Sequence, residues 1–248
     1  PRLTILDALP YDRERTSMKE FPMCPDCAEE YEDETTRRYD AQPVCCNKCG
    51  PEVYLIGRSE RGRDAITYTR RMISEGKIVA IKGIGGFHLC CVQRLRTLKR
   101  RPAKPFAVMA KDESVVKREC VVTPEQEMIL TGHQKPILLL DKENGGRLAP
   151  SIAPGNPKVG VMLPYAPVQL LIFQYDDGIK MPDILVMTSG NTSGAPICRE
   201  DTEAVAELSH LCDAMLSHNR KIRIRADDTV MDFYKNEPYM IRRSRGYA

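Results

Sequence analysis

The chain has 248 residues, of which 42% are hydrophobic and 29% charged, and its formal net charge is +3. This length permits one core of fair size with a small appendage. The small net charge gives no general attraction to nucleic acid, and no apolar run approaches the roughly 20 residues of a membrane-spanning helix. Ten cysteines without a signal peptide suggest a reducing compartment, so we expect the protein in the cytoplasm.

Two C-x2-C pairs stand near the start of the chain, C-P-D-C with Cys24 and Cys27 and C-N-K-C with Cys46 and Cys49. Their separation is typical of a four-thiolate zinc site, in which each pair directs two sulfurs at one ion. The segment between the pairs is polar, so we expect its folding to depend on the metal. A redox pair and two disulfides are the alternatives. The spacing predicts a closed, structural zinc site.

From residue 65 the pattern predicts alternating helices and strands. Helices are expected over 65–75, 94–100, from Thr123 onward and over 200–208, with N-cap and N1 preferences met at Thr123 and Pro124. Strands are expected over 77–82, 106–110, 136–141, 159–163, 184–187, 228–234 and 239–243. The alternation indicates an α/β fold with an open, twisted, mixed sheet. We expect a zinc-knuckle module at 1–63 and a nucleotide-binding domain at 64–248, joined near 56–64.

The first candidate for chemistry is the basic segment at 94–105, where six of the eleven residues from 94 to 104 are Lys or Arg. Crowded cations repel one another unless an anion neutralises them, and a polyphosphate suits forked Arg donors and point-charged Lys. Pro102 and Pro105 would hold Lys99, Arg101 and Lys104 in a fixed array. A solvated basic helix face or a nucleic-acid patch are the alternatives.

Two glycine-rich segments each follow a predicted strand. They are G-I-G-G-F-H, which ends at His88, and T-S-G-N-T-S-G-A-P, which contains Ser189 and Asn191. Small residues at a strand end let backbone N–H groups approach a ligand closely, and ligands of open α/β sheets favour this edge. Neither segment is a P-loop. An ordinary turn, or a structural role for His88, explains these residues equally well.

The late acidic pair Asp227 and Asp228 permits two interpretations. The carboxylates could hold Mg2+ beside phosphates, or they could pair with nearby arginines, which we favour slightly. No Ser–His–Asp order and no H-E-x-x-H motif occurs in the sequence, so a covalent mechanism is not indicated. The other six cysteines are interpreted as small buried apolar residues.

Together these motifs resemble the hydrogenase maturation carbamoyltransferase HypF family. The resemblance rests on C-P-D-C-x18-C-x2-C-G-P, K-G-I-G-G-F-H-L, K-R-R-P-A-K-P-F-A-V-M, V-G-V-M-L-P-Y-A-P, T-S-G-N-T-S-G-A-P-I and R-R-S-R-G-Y. It covers nearly the whole chain but only the middle of that family's architecture, the second zinc knuckle and a YrdC-like domain. The acylphosphatase and C-terminal transfer domains of the family have no counterpart here. The family carries an acidic, polar loop after Cys91, whereas here Cys91 is followed directly by V-Q-R, so the loop is either short or incomplete in this sequence.

The resemblance implies a reaction. The YrdC-like part would condense carbamate, released from carbamoyl phosphate, with ATP and Mg2+ to carbamoyl adenylate and pyrophosphate. The whole protein would then pass the carbamoyl group to a cysteine of HypE, for the cyanide ligands of nickel–iron hydrogenase. Lys99 and Arg101 are the expected catalytic residues, because attack on the α-phosphorus requires charge neutralisation. The expected nucleotide-binding residues are Lys99, Arg101, Lys104, Gly85, Gly86, His88, Ser189, Asn191, Thr229 and Arg243.

A second function class stays open. Zinc knuckles, a basic helix and the kinship of YrdC to a group of tRNA-modifying enzymes permit an RNA-binding module. The low net charge and the 6% aromatic content weigh against it, because readers of single strands stack bases on aromatic rings. A purely structural zinc scaffold is the third possibility, and it would bind no nucleotide.

Overall fold

A computed structural model describes residues 6–91, 104–192 and 194–247. The chain forms two compact units. The first contains the described residues up to Val53 together with His218–Lys221, and the second contains Tyr54–Ser217 and the residues from Ile222 onward. Residues 56–64 fall within the second unit. The division of the chain into domains at residue 63 stays a prediction.

The strands of the described chain form one sheet in the order β1-β8-β2-β3-β7-β4-β6-β5-β9-β10. Their bounds are β1 Val53–Leu55, β2 Val79–Lys82, β3 Phe87–Cys91, β4 Ala107–Ala110, β5 Ile137–Asp141, β6 Lys158–Met162, β7 Ile184–Ser189, β8 Ala214–His218, β9 Val230–Tyr234 and β10 Glu237–Arg242. The pairs β2–β8, β4–β6 and β5–β9 are parallel, whereas β2–β3, β3–β7, β4–β7, β5–β6 and β9–β10 are antiparallel. The predicted mixed α/β sheet is confirmed.

The described residues contain six α-helices. They are α1 Pro25–Glu32, α2 Gly62–Ser74, α3 Glu113–Glu119, α4 Pro124–Thr131, α5 Pro167–Phe173 and α6 Asp201–Leu208. Helices α2, α4 and α6 were predicted with somewhat different ends, whereas α1, α3 and α5 were not predicted. Thr123 caps α4 in a full capping box with Gln126, as its sequence predicts. Helix α2 begins at Gly62 after Arg61, three residues before the predicted start. The helix predicted at 94–100 lies outside the described residues.

One face of the sheet carries the main hydrophobic core. Alternate residues of the strands, such as Ala80, Leu89 and Val108, point to this face, because side chains of a strand alternate with period two. Helices α3, α4 and α6 close the core with residues such as Val116, Leu130 and Leu208. None of the described helices combines the length and apolar character needed to cross a membrane.

Strands β9 and β10, which correspond to the last two predicted strands, pair as an antiparallel hairpin with a tight turn. Lys235 and Asn236 both have positive φ, 50° and 65°, and Glu237 already pairs with Tyr234. Positive φ at both central residues is the requirement of a two-residue turn that matches strand twist. Strand β10 therefore begins at Glu237, two residues before the predicted start.

A buried arginine fixes α2 to the segment that follows α5. The guanidinium of Arg70 donates to the Asp177 carboxylate at 2.9 Å and to the carbonyl oxygens of Ile172 and Ile179. The side chains of Arg70 and Asp177 are 2% and 4% exposed. Hydrogen bonds thus satisfy a charge pair that is costly to bury.

We expect Arg70→Met to lower the free energy of unfolding by about 3–5 kcal/mol, because the Asp177 carboxylate then stays buried without its partner. Urea unfolding followed by circular dichroism measures the change. The neighbouring exposed arginine supplies the control, and Arg71→Met is expected to change the free energy by about 0.5 kcal/mol or less. A loss below about 1 kcal/mol in Arg70→Met would contradict the anchoring role.

Candidate functional site

The four predicted metal ligands meet at one point of the first unit. The Sγ atoms of Cys24, Cys27, Cys46 and Cys49 all lie within 4.8 Å of one another. Cys46 Sγ lies 3.7 Å from Cys24 Sγ and 3.8 Å from Cys49 Sγ. Zn–S bonds of about 2.3 Å in a tetrahedron place sulfurs about 3.8 Å apart, so this set fits one Zn2+.

The thiol chemistry of this cluster suits a cation. Hydrogen bonds from the backbone N–H groups of Lys48 and Cys49 lower the pKa of the Cys46 thiol to about 6. Burial and the neighbouring cysteines raise the pKa of the Cys27 thiol above its usual range. A metal ion replaces the protons of such crowded thiols and favours the thiolate form.

Arg13 supports the chain just ahead of the second cysteine pair. Its guanidinium donates to the carbonyl oxygens of Gln42 and Val44 at 2.7 Å and of Phe21 at 2.6 Å. These three bonds satisfy backbone carbonyl oxygens that lie outside regular helices and strands. Polar contacts with Arg13 therefore hold residues 42–44 in place.

In the second unit, the two predicted glycine-rich segments and the late acidic segment converge. The Gly190 N–H donates to the Phe87 carbonyl at 2.7 Å, and a Cβ on Gly190 would lie 2.7 Å from that oxygen. The Ala226 N–H donates to the Gly85 carbonyl at 3.0 Å, and a Cβ on Gly85 would collide with the Ala226 backbone. Glycine at these two positions lets the segments pack backbone against backbone within the protein. Their approach to a ligand stays a prediction.

Ser189 and His88 are cross-strand partners. Ser189 ends β7 and pairs with His88 of β3 in the antiparallel register. Residues directly opposite each other have Cβ atoms about 4.5–5.5 Å apart on the same face. Ser189 Oγ donates to Asn191 Oδ1 at 3.0 Å, and Asn191 Nδ2 donates to the Ala195 carbonyl at 2.6 Å. His88, Ser189 and Asn191 therefore lie close together where β3 begins and β7 ends, and Ser189 and Asn191 are hydrogen-bonded to each other.

The late acidic residues pair with arginines, which is the alternative that the sequence slightly favoured. Arg242 lies 2.8 Å from Asp227, and Arg245 Nε donates to Asp228 Oδ1 at 2.9 Å. The other oxygen of Asp228 lies 3.0 Å from His88 Nε2. Burial opposes ionisation of Asp228, yet His88 and Arg245 hold the pKa of this carboxyl well below its usual range.

Thr229 and Arg243 make structural contacts with the end of the chain. The buried Thr229 hydroxyl donates to the Arg245 carbonyl at 3.0 Å and accepts from the Ser244 N–H at 2.8 Å. Arg243 is exposed, and its Nε donates to the Tyr247 carbonyl at 2.7 Å. Lys104 is also exposed. The predicted catalytic residues Lys99 and Arg101 lie outside the described residues, so their place relative to Ser189 stays a prediction.

Sequence reasoning missed Arg245 and Tyr165. Arg245 is buried and also donates to the carbonyl oxygens of Gln134 and Lys135 at 2.9 and 2.8 Å. Its Cζ lies 3.4 Å from the centre of the Tyr165 ring, whose hydroxyl lies 3.4 Å from His88 Nε2. The R-R-S-R-G-Y motif contains Arg245, but its residue types do not show which arginine is buried.

The comparisons agree with this architecture. The Sua5/YciO/YrdC family model, described as telomere recombination, matches residues 71–244, and a model described as the HypF finger matches residues 23–56. The solved structure of Pyrococcus abyssi Sua5 with L-threonine, at 21% identity and a TM-score of 0.63, covers 75% of this chain and 56% of its own, and it shares the fold. The chain belongs to the Sua5/YciO/YrdC family.

The likeness to HypF is more specific. The carbamoyltransferase HypF of Rhodobacter capsulatus is 44% identical over 99% of this chain and 33% of its own length. A crystal structure of full-length HypF in the phosphate- and nucleotide-bound form is 45% identical with a TM-score of 0.88, over 98% of this chain and 32% of its own. The predicted resemblance to HypF carbamoyltransferases is confirmed. The chain spans about one third of the length of these relatives.

We expect Cys46→Ser to remove bound Zn2+ and to expose the first unit to proteolysis, because three thiolates hold the ion less tightly than four. Atomic absorption and limited trypsin digestion measure both effects. The adjacent Cys45 lies outside the cluster, so Cys45→Ser is the matched control and should retain the metal. Stoichiometric zinc in Cys46→Ser would contradict the site.

Proposed function

We propose that the YrdC-like part of this chain condenses carbamate with ATP to carbamoyl adenylate and pyrophosphate. The observation that carries the proposal is the convergence of Gly85, His88 and Ser189 at one edge of the sheet. The glycines of these segments allow close backbone packing, which brings the polar residues of the three segments to one place, as we propose for a nucleotide site. The relationship to HypF, including a relative solved with phosphate and nucleotide bound, supports this reaction over other anion chemistry.

The chemistry needs positive charge and no protein nucleophile. A carbamate oxygen attacks the α-phosphorus, the bond to the β,γ-pyrophosphate breaks, and negative charge accumulates on both partners. Lys99, Arg101 and Lys104 are proposed to neutralise the triphosphate. Ser189 and Asn191, with the backbone of Gly85 and Gly86, are proposed to orient it. Mg2+ is proposed to accompany ATP as part of the substrate.

Three further residues are proposed to take part in nucleotide binding. His88 is the cross-strand partner of Ser189, and Thr229 and Arg243 are hydrogen-bonded to the carbonyls of Arg245 and Tyr247. Thr229 uses its hydroxyl for the backbone of residues 244 and 245. We therefore propose that Thr229 shapes the site, and that exposed Arg243 meets the ligand directly.

Further parts of the proposal rest on the relatives. The cysteine cluster is proposed to hold a structural Zn2+. The carbamate is proposed to come from carbamoyl phosphate, and the product to serve transfer to a HypE cysteine in hydrogenase maturation by the longer protein. The ten cysteines form no disulfide, and we propose a cytoplasmic location for the protein.

Exchange of labelled pyrophosphate into ATP tests the reaction. The chain is expected to catalyse this exchange when ATP, Mg2+ and carbamate are present, the carbamate being supplied from carbamoyl phosphate by an acylphosphatase. Lys99→Ala and Arg101→Ala are each expected to lower the rate about 10²–10³-fold, since each removes charge that stabilises the transition state. Lys117→Ala, which alters an exposed surface pair, serves as the control. Full exchange in both variants, with the fold retained, would contradict the proposal.

The small-residue loop has its own test. Ser189→Ala and Asn191→Ala are expected to raise the dissociation constant of ATP about tenfold, because each removes a polar group and loosens the turn between them. Isothermal titration calorimetry measures the dissociation constants. Thr192→Ala removes a polar side chain elsewhere in the same loop and serves as the control. Wild-type affinity in both variants would exclude this loop from the nucleotide site.

A further inference from the structure

Asp228 lies at the centre of a buried polar cluster that joins four distant segments. Its carboxylate lies within hydrogen-bond distance of His88 from β3 and of Arg245 from the end of the chain. The Tyr165 ring, which follows β6, stacks on Arg245 and meets the His88 ring edge-on at 6.4 Å between centres. His88, Asp228 and Arg245 are 2%, 3% and 9% exposed.

The hydrogen bonds of this cluster constrain the His88 ring. An ionised Asp228 has no proton to give, so Nε2 must carry the hydrogen of the 3.0 Å bond. The other nitrogen, Nδ1, is buried and has no hydrogen-bond partner within the described parts of the chain. A buried N–H without an acceptor costs more than an unused lone pair, which favours the neutral ring with the proton on Nε2.

Asp228 is held at both of its oxygens. The Arg245 guanidinium, which is always protonated, donates to Oδ1, and the His88 ring faces Oδ2. Tyr165 is the further titratable group in contact with the ring, and burial raises the pKa of its hydroxyl, so it stays neutral.

The position of Nδ1 connects the cluster to the glycine-rich segment. A Cβ on Gly83 would lie 3.4 Å from His88 Nδ1, and the Gly83 N–H donates to the Gly86 carbonyl at 2.8 Å. The ring therefore packs under the turn that begins the segment, while Ser189 stands opposite on β7. A rotated or re-protonated ring would move this turn.

We propose that Asp228, held by Arg245, is a positioning residue that fixes His88 as the Nε2–H tautomer beneath the Gly83–Gly86 turn. Arg245 pairs with Asp228, stacks on Tyr165 and donates to two backbone carbonyls. It is thus the arginine of R-R-S-R-G-Y on which the position of the His88 ring depends. Arg245 acts through Asp228 and His88 and does not touch the reacting groups. Only the consequence for ATP binding rests on the proposed function.

Nitrogen-15 spectra of the histidine side chains test the tautomer without any assay of activity. The chain has four histidines, and His88→Gln assigns the signals of His88. We expect one neutral tautomer with the proton on Nε2 in the native chain, and a mixed or switched tautomer in Asp228→Asn. Arg245→Lys keeps the charge but loses the planar fork, so it decides the question if Asp228→Asn fails to fold.

The matched control is Asp227→Asn, which changes the neighbouring carboxylate and should leave the His88 signals unchanged. A proton on Nδ1 in the native chain would overturn the inference. So would an unchanged His88 tautomer in both Asp228→Asn and Arg245→Lys.

Titration with ATP separates this inference from the proposed function. We expect ATP to shift the His88 signals and to bind Arg245→Lys about tenfold more weakly than the native chain. If ATP binds without shifting the His88 signals, and binds Arg245→Lys as tightly as the native chain, the His88 cluster is not coupled to the nucleotide site. If the native chain binds no ATP and exchanges no pyrophosphate, the proposed function fails, and the tautomer result alone decides the positioning role.

Discussion

A buried carboxylate is the constraint on which the arrangement of the second unit depends. Asp228 is ionised beneath the surface, and such a charge persists only with partners placed around it. The chain supplies one partner from β3 and another from its last residues, so three segments far apart in sequence must come together. Because His88 and Arg245 both contact Asp228, the Gly83–Gly86 turn beside His88, the end of β7 at Ser189 and the segment around Arg245 lie near one another.

The proposed nucleotide site at that edge rests on two features. Glycines at positions 85 and 190 let the backbone pack against Ala226 and Phe87 where any side chain would collide, which draws the three segments together. The basic segment at 94–105, of which Lys104 and Pro105 are described, is proposed to supply the cationic charge. The cysteine cluster belongs to the first unit, which has few buried apolar residues, and we expect a metal held there to stabilise its irregular segments.

Much of this could be predicted from local sequence. Cysteine spacing found the metal ligands, and apolar runs located most strands. Strands β1, β3 and β8 were not predicted. At β3 the glycines before Phe87 hide the strand, whereas cross-strand pairing extends the sheet over Phe87 and His88. Arg245 could not be distinguished from Arg243, since its burial depends on Gln134, more than a hundred residues away. Such long-range partners leave no local pattern.

A crystal structure of the chain with a non-hydrolysable ATP analogue tests the central claim most directly. The account predicts the triphosphate within about 3 Å of donor groups of Ser189, Asn191 and the Gly85–Gly86 backbone, with Lys99 and Arg101 contacting the phosphates. A nucleotide bound at another surface, or Lys99 and Arg101 directed into solvent away from Ser189, would contradict it.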